Sequence, residues 1–147
     1  MRILRILIIA SQSVLGLATG LYAAETMPGH EHHAHASALT EAQKQLLSGY
    51  ENVRAALAAD DLAAAKAAAA AFGDLPAAAQ LAKADSLNSA RVAFKKLSNE
   101  AVRLAKGQAG YYVAHCPMAG SDWVQTTTKI SNPYLGPKMA TCGSIQD

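Results

Sequence analysis

Hydrophobic positions between Thr40 and Lys106 recur at steps of three or four residues, which is the spacing of one face of an α-helix. The first apolar stripe consists of Leu46, Tyr50, Val53 and Leu57. Thr40 and Gln43 stand before it at the spacing of a capping box, in which the hydroxyl accepts from a first-turn amide and the Gln reaches back. The pattern predicts a first helix that begins just after Thr40.

Capping residues, turn residues and a second apolar stripe predict three more helices. Asp60 or Asp61 can cap a second helix that runs through an alanine tract to Phe72 and ends at Gly73. Asp74 and Pro76 start a shorter third helix. The last helix stops at Gly107 and carries one apolar face, formed by Leu87, Ala90, Phe94, Leu97, Ala101 and Leu104.

After Gly110 the helical period disappears. Residues 111–114 and 123–128 have the composition of short extended segments, and Asn132-Pro133 and Gly136-Pro137 mark turns. We therefore predict a mainly α fold: a small antiparallel helical bundle with a C-terminal irregular loop or short β segment. Residues 38–147 form its single domain, and residues 111–143 carry a motif rich in Cys and Met.

The first 24 residues have the layout of a secretory signal peptide. Arg2 and Arg5 precede an apolar run, and small residues follow at Ala23 and Ala24. As a membrane span the run is weak, because Ser11 to Ser13 interrupt it and a spanning helix needs about 20 mostly apolar residues. We expect export, to a bacterial periplasm, and no stable membrane span after removal of residues 1–24.

The segment 25–37 is rich in histidine. Four of the 5 histidines in the chain lie here: His30, His32, His33 and His35. Short tracts of this kind bind Cu(II), Zn or Ni through neutral imidazoles without a fixed geometry, so a weak secondary metal site and a solvated linker are both open.

Charge excludes one class of partner. Arg2 and Arg5 account for two of the 13 basic residues, which leaves 11 basic and 11 acidic residues and no net charge in the mature chain. Nucleic-acid binding requires a basic surface, so we expect no nucleic-acid partner.

Soft metal-ligating side chains collect in the last third of the chain: His115, Cys116, Met118, Met139 and Cys142. Thiolates and thioethers are soft donors that suit Cu(I) better than Mg, Ca or Mn. The sequence therefore predicts a Cu(I) site built on the thiolates of Cys116 and Cys142, completed by Met118, Met139 or His115. The turns between them would have to fold Met139 and Cys142 back beside His115 and Cys116.

Two alternatives stay open for the cysteines. In an oxidising compartment, Cys116 and Cys142 can form a disulfide that closes a loop of about 27 residues and stabilises the fold by about 3 to 4 kcal/mol in the chain-entropy model. A thiol redox protein is less favoured, because the Cys-x-x-Cys spacing of thioredoxin-like domains is missing. No triad is indicated by the adjacency of His115 and Cys116, so we predict that the protein is not an enzyme.

Aromatic residues near the cysteines have ordinary structural interpretations. We expect Trp123 to serve mainly in packing, although its ring face could shield a bound ion. The phenols of Tyr111, Tyr112 and Tyr134 are expected to form hydrogen bonds at the edge of the loop.

A family resemblance rests on the motif Cys116-Pro117-Met118-Ala119, Trp123, Asn132-Pro133-Tyr134, Gly136, Met139 and Cys142-Gly143. From about Tyr50 onward the chain resembles the bacterial domain-of-unknown-function family 3347, although the link between Ala119 and Trp123 is shorter than in that family. Such domains look like helical bundles and occur as small exported proteins or attached to periplasmic adaptor subunits of copper and silver efflux systems. The resemblance implies copper handling or efflux, with such an adaptor or another copper protein as partner.

Overall fold

A computed structural model describes residues 37–73 and 75–146, which form four α-helices and one three-stranded antiparallel sheet. The helices are α1 (Glu41–Ala58), α2 (Leu62–Ala70), α3 (Pro76–Ala82) and α4 (Leu87–Ala105). The strands are β1 (Tyr112–Cys116), β2 (Ser121–Gln125) and β3 (Ser144–Ile145). The predicted mainly helical class is confirmed.

The predicted signal peptide, residues 1–24, lies outside the described residues. The His-rich segment 25–37 lies outside them as well, except for Ser37. Within the described ranges, no helix is both long and apolar enough to cross a membrane.

Local capping explains where the first two helices begin. The Thr40 hydroxyl accepts from the Gln43 amide, and the Gln43 side chain accepts from the Thr40 amide, so the predicted capping box is confirmed. Asp61 caps α2 through the Ala64 amide. Asp60, the other predicted cap, instead occupies the turn before it with a φ of 59°.

The later helix boundaries are close to the predicted ones. Helix α2 ends at Ala70 rather than Phe72, and a turn then runs to Gly73, which has a φ of 65°. Pro76 is the first residue of α3, where its missing N–H costs no hydrogen bond. Asp74, the predicted partner of Pro76, lies outside the described residues.

All four helices contribute to the helical core, α3 through the fully buried Leu81. Tyr50 of α1 stacks on Phe94 of α4 with ring centroids 5.0 Å apart. In α1, Leu47 is fully buried whereas Leu46, which the stripe predicted, is only half-buried. The small side chains of Ala65 and Ala69 are fully buried, and they let α2 approach its neighbours closely.

The sheet has the order β2-β1-β3, with both pairs antiparallel. The hairpin of β1 and β2 pairs Cys116 with Ser121 and His115 with Asp122. Both strands overlap the predicted segments, but β2 begins two residues before the predicted 123–128. Strand β3 was not predicted, because two residues are too short to show an alternating pattern.

The two faces of the hairpin pack against different partners. Val124 joins the helical core. On the other face, Ala114, Cys116 and Trp123 form a second buried cluster, here called the tryptophan cluster. Tyr134 touches both clusters, with ring centroids 5.7 Å from Phe94 and 6.1 Å from Trp123.

Arg91 of α4 ties the loop after β2 to the turn between α1 and α2. Its Nε donates to the Pro133 carbonyl oxygen at 3.0 Å, and its Nη2 donates to the Leu57 carbonyl oxygen at 3.2 Å. Nη2 also forms an ion pair with Asp60. Gly136 has a φ of 71°, which favours glycine, and a Cβ there would lie 2.7 Å from the Asp60 carboxylate oxygens and would displace them.

Candidate functional site: a paired cysteine centre

The two cysteines, 26 positions apart in the chain, lie side by side in the fold. Cys116 Sγ is 2.8 Å from Cys142 Sγ, and both are free thiols. Cys116 is fully buried at the end of β1, whereas Cys142 is half-buried. The predicted return of the loop to Cys116 is confirmed for Cys142.

Strand β3 sets the position of Cys142. Ser144 pairs with His115, and the Gln146 amide donates to the Val113 carbonyl oxygen at 2.8 Å, so the residues just before Ser144 run alongside the end of β1. Gly143 has a φ of 128° and a backbone so close to β1 that a Cβ would lie 2.7 Å from the His115 carbonyl oxygen. The glycine therefore permits the close approach that brings Cys142 to Cys116.

Cys116 is in an environment that favours its thiolate. Burial by itself raises the pKa of this thiol, but hydrogen bonds to the sulfur outweigh burial and the pKa falls below its ordinary value. The groups that contribute these hydrogen bonds are the Cys142 thiol, the backbone amides of Ala119 and Met118, and the Asn132 side chain. The β1–β2 turn thus directs its amides at the Cys116 sulfur.

Cys142 behaves in the opposite sense. Its hydrogen bond to Cys116 raises its pKa, because that bond stabilises the protonated thiol, and burial and the charge of Cys116 act in the same direction. The two pKa shifts run in opposite directions, so when the pair loses its first proton the negative charge lies mainly on Cys116. A thiolate in contact with a thiol is a nucleophilic and metal-binding arrangement.

Asn132 supports the cysteine pair through hydrogen bonds to the main chain of the loop. Its Nδ2 donates to the Cys142 carbonyl oxygen at 2.8 Å, and its Oδ1 accepts from the Tyr134 amide at 2.7 Å. The Asn132 amide itself donates to the Ala140 carbonyl oxygen at 2.8 Å. The sequence marked Asn132 only as part of a turn. Its burial and supporting role depend on contacts across the loop that no local pattern reveals.

His115 does not lie with the sulfur atoms. Successive side chains on a strand point to opposite faces, so His115 and Cys116 leave β1 in opposite directions. His115 Nδ1 instead lies 2.6 Å from Asp122 Oδ1, on the hairpin position directly opposite. Adjacency in sequence suggested a shared site, whereas the alternation of the predicted strand was the signal that separates these two residues.

The two methionines of the motif are exposed on the turns that flank the cysteines. Met118 is 69% exposed in the β1–β2 turn, and Met139 is 40% exposed in a single turn of 3₁₀-helix, Pro137–Met139. The Cys142 amide donates to the Met139 carbonyl oxygen at 3.0 Å. Each thioether is therefore near a cysteine along the chain and accessible from solvent.

The aromatic predictions are confirmed for Trp123 and Tyr134. Trp123 is fully buried and its Nε1 donates to Gln125 Oε1 at 2.9 Å, so it is a packing residue. The Tyr134 hydroxyl donates to the Asp122 carbonyl oxygen at 2.8 Å, and its oxygen lies 3.1 Å from Ser98 Oγ.

Gln125 organises the loop after β2. It is fully buried, and its Nε2 donates to the carbonyl oxygens of Thr127 and Lys129 at 2.6 and 2.9 Å. Its Oε1 accepts from Trp123 and from the Ser131 amide, at 2.9 and 3.2 Å. The side-chain amide of Gln125 thus makes all four of its possible hydrogen bonds, and these fix the conformation of the loop after β2.

The donor set at the cysteine pair consists of two sulfur atoms. Across residues 37–73 and 75–146, no three His, Cys, Asp or Glu side chains converge as a metal-holding group. Two thiols with nearby thioethers are soft donors, and this chemistry fits Cu(I). The weaker predicted site at His30, His32, His33 and His35 lies outside the described residues.

Comparisons with known proteins give no relative. No family model, no curated protein and no solved structure matches this chain.

Proposed function

We propose that this chain is an exported soft-metal binding protein that holds Cu(I) through the thiolates of Cys116 and Cys142. The observation that supports the proposal is the contact of the two sulfur atoms at 2.8 Å, with hydrogen bonds that lower the pKa of one of them. A soft monovalent ion needs few ligands and prefers thiolates, so two sulfurs on a preformed loop are a sufficient core.

Electrostatics also favours a small cation at this position. A thiolate at Cys116 would place a negative charge inside the tryptophan cluster, where a buried charge requires compensation. Backbone amides supply part of it, and binding of Cu(I) would release the proton of Cys142 and supply the rest. In this proposal the turns position the ligands, and the helices provide the rigid support.

Met118 and Met139 are the proposed additional donors. Both methionines are exposed on the turns that flank the cysteines along the chain, where they can meet an incoming ion before the buried sulfur does. His115 takes no part in this version of the site, because it lies on the other face of β1 against Asp122. The four histidines of segment 25–37 would bind metal only weakly.

The cellular setting is proposed from the sequence. We propose a periplasmic protein that serves copper handling or efflux, with a heavy-metal efflux adaptor or another copper protein as partner. The antiparallel arrangement of the helical bundle and the resemblance to family 3347 belong to the same proposal.

A structural role is the second candidate, and the same contact favours it. Sulfur atoms that touch in an oxidising compartment can form a disulfide, which would staple β3 and its preceding turn to β1. In that case the protein would be a stapled partner-binding domain without metal, and a thiol redox protein would be the remaining option.

The deciding experiment is native mass spectrometry of the mature protein, purified anaerobically without added reductant and titrated with Cu(I), combined with alkylation of free thiols. We expect one retained copper that protects both cysteines from alkylation, and no such copper in the C116S/C142S double variant. Replacing His30, His32, His33 and His35 by Asn serves as a control, because it removes the imidazoles of segment 25–37 and leaves the sulfur pair. Unchanged Cu(I) affinity in the double variant would refute the proposal, and a metal-free protein two hydrogens lighter would indicate the disulfide staple.

A further inference from the structure

The two sulfur atoms of the pair differ in access. Cys116 is fully buried with Ala114 and Trp123 in the tryptophan cluster. Cys142 is half-buried, and it is preceded by the exposed Thr141 and the partly exposed Met139. A reagent that comes from solvent therefore meets the sulfur of Cys142 first.

The difference in burial also decides which sulfur leaves. In thiol–disulfide exchange, one sulfur is attacked and the other leaves as a thiolate. Because Cys142 is the accessible sulfur, it is the point of attack, and the fully buried Cys116 is the sulfur that leaves.

We propose that, when Cys116 and Cys142 are joined in a disulfide, an external dithiol reductant opens the bond by attacking Cys142 Sγ. A thiolate of the reductant bonds to Cys142 Sγ, and the bond to Cys116 breaks with its electron pair on Cys116 Sγ. The second thiolate of the reductant then attacks its own sulfur in the mixed disulfide, and Cys142 leaves as a thiolate. The reductant ends as a disulfide, having given two electrons to the pair, and its two protons balance the two new thiols.

This exchange makes metal binding depend on the redox state of the two cysteines. A disulfide has no thiolate to offer, so only the reduced pair can hold Cu(I). The regulatory meaning rests on the proposed function, whereas the direction of the exchange rests only on the geometry of the two cysteines.

The test uses the oxidised wild-type protein and glutathione as a monothiol probe. The oxidised protein is mixed with glutathione, quenched rapidly with acid and alkylated, and then cleaved with trypsin. Cleavage after Lys106, Lys129 and Lys138 leaves Cys116 in peptide 107–129 and Cys142 in peptide 139–147, so each adduct is assigned by mass. We expect glutathione on Cys142 over Cys116 by a ratio of about 10 or more.

Two controls make the result specific. Exchange in concentrated guanidinium chloride, where the fold is lost, should reduce the preference to within about twofold. The reduced single variants C116S and C142S, treated with an aromatic disulfide, should show faster reaction of the remaining Cys142 than of the remaining Cys116. Equal labelling of both cysteines in the folded protein, a preference for Cys116, or failure of the wild-type pair to form an intramolecular disulfide would each overturn the inference.

The failures of the two proposals are distinguishable. A protein that binds no Cu(I) but is attacked at Cys142 refutes the metal function and keeps the exchange direction. A protein that binds Cu(I) in its reduced form but exchanges without preference refutes only the inference made here.

Discussion

Asn132 holds the main chain at Cys142, because its Nδ2 donates a 2.8 Å hydrogen bond to the Cys142 carbonyl oxygen. The same side chain also lies among the groups that lower the pKa of Cys116. One buried amide therefore positions one cysteine and tunes the other.

Replacing Asn132 by Ala should damage both functions of this side chain. The Cys142 carbonyl oxygen and the Tyr134 amide would lose their partners, and buried polar groups without partners cost about 1–3 kcal/mol each. We expect the free energy of unfolding of the reduced protein to fall by about 2 kcal/mol or more. Chemical denaturation measures this, with the exposed Asn88→Ala as a control that should change it by less than about 0.5 kcal/mol. An equal effect of both variants would contradict the role of Asn132.

Gly143 offers a sharper test of how the loop approaches β1. In Gly143→Ala the new Cβ would lie 2.7 Å from both the His115 carbonyl oxygen and Trp123 Cη2, so the loop must shift. Gly110→Ala is the matched control, since Gly110 has a φ of 84° but open space around it.

Both alanine variants suffer backbone strain of about 1–2 kcal/mol, and the clash should add about 1–3 kcal/mol for Gly143 alone. Denaturation of the two variants measures the difference. The clash should also separate the cysteines, so oxidation of Gly143→Ala to the intramolecular disulfide should be slower than in Gly110→Ala. Identical stability and oxidation in the two variants would show that the close approach is unimportant.

Ser98 connects the helical core to the motif loop. Its Oγ lies 2.6 Å from the Tyr50 hydroxyl oxygen and 3.1 Å from the Tyr134 hydroxyl oxygen. Each tyrosine keeps one other partner, the Val124 amide for Tyr50 and the Asp122 carbonyl oxygen for Tyr134. We therefore expect Ser98→Ala to lower the free energy of unfolding by only about 1 kcal/mol. The exposed Ser48→Ala is the control, and a loss equal to that of Ser98→Ala would contradict the network.

Stability should fall in alkaline solution because of these tyrosines. Burial raises the pKa of Tyr50 and of Tyr134 in the folded protein, whereas the unfolded chain ionises near the ordinary pKa of about 10. Below that pH both states keep the protons, and stability is unaffected. Above it the unfolded state loses protons that the folded state retains, so stability decreases by up to about 1.4 kcal/mol per pH unit for each tyrosine.

Denaturation at pH values on either side of about 10 tests this effect. The Tyr50→Phe and Tyr134→Phe variants should each show a shallower decrease than the wild type, because each removes one proton-retaining group. The same slope in all three proteins would mean that neither tyrosine retains its proton in the fold.

His115 should matter little for Cu(I) binding if the sulfur pair carries it. We expect His115→Ala to change the Cu(I) affinity of the reduced protein by less than about tenfold, the lower end of effects seen for groups that support metal ligands. Competition with a chromophoric Cu(I) chelator measures the affinity. A larger loss would restore His115 to the ligand set and would require β1 to twist locally when the ion binds.

Local chemistry made some elements predictable from the sequence. The Thr40 capping box and the Pro76 start of α3 depend on neighbours within one turn, and both are confirmed. The apolar period identified α1 and α4, and capping and turn residues identified α2 and α3, but the period selected Leu46 where Leu47 is the buried residue. A small error in phase is expected, because neighbouring leucines both satisfy the period and only packing chooses between them.

Contacts between distant segments explain what the sequence did not reveal. The meeting of Cys116 and Cys142 was foreseen from the turns between them, whereas β3 is too short to carry a pattern. Asn132 looked like a turn residue and became the support of the pair only after Cys142 folded over it. The grouping of His115 with the sulfurs relied on sequence distance, while strand geometry separates side chains that are adjacent in the chain.

The salt bridge between Arg91 and Asp60 couples the α1–α2 turn to the loop after β2, because Arg91 also donates to the Pro133 carbonyl oxygen. Asp60 lies in the α1–α2 turn, and a side chain at position 136 beside it would displace its carboxylate. In homologous proteins, substitutions at positions 60, 91 and 136 should therefore occur together rather than singly. Substitutions in the α1–α2 turn, which contains no cysteine, would then accompany substitutions in the loop that carries the cysteine motif.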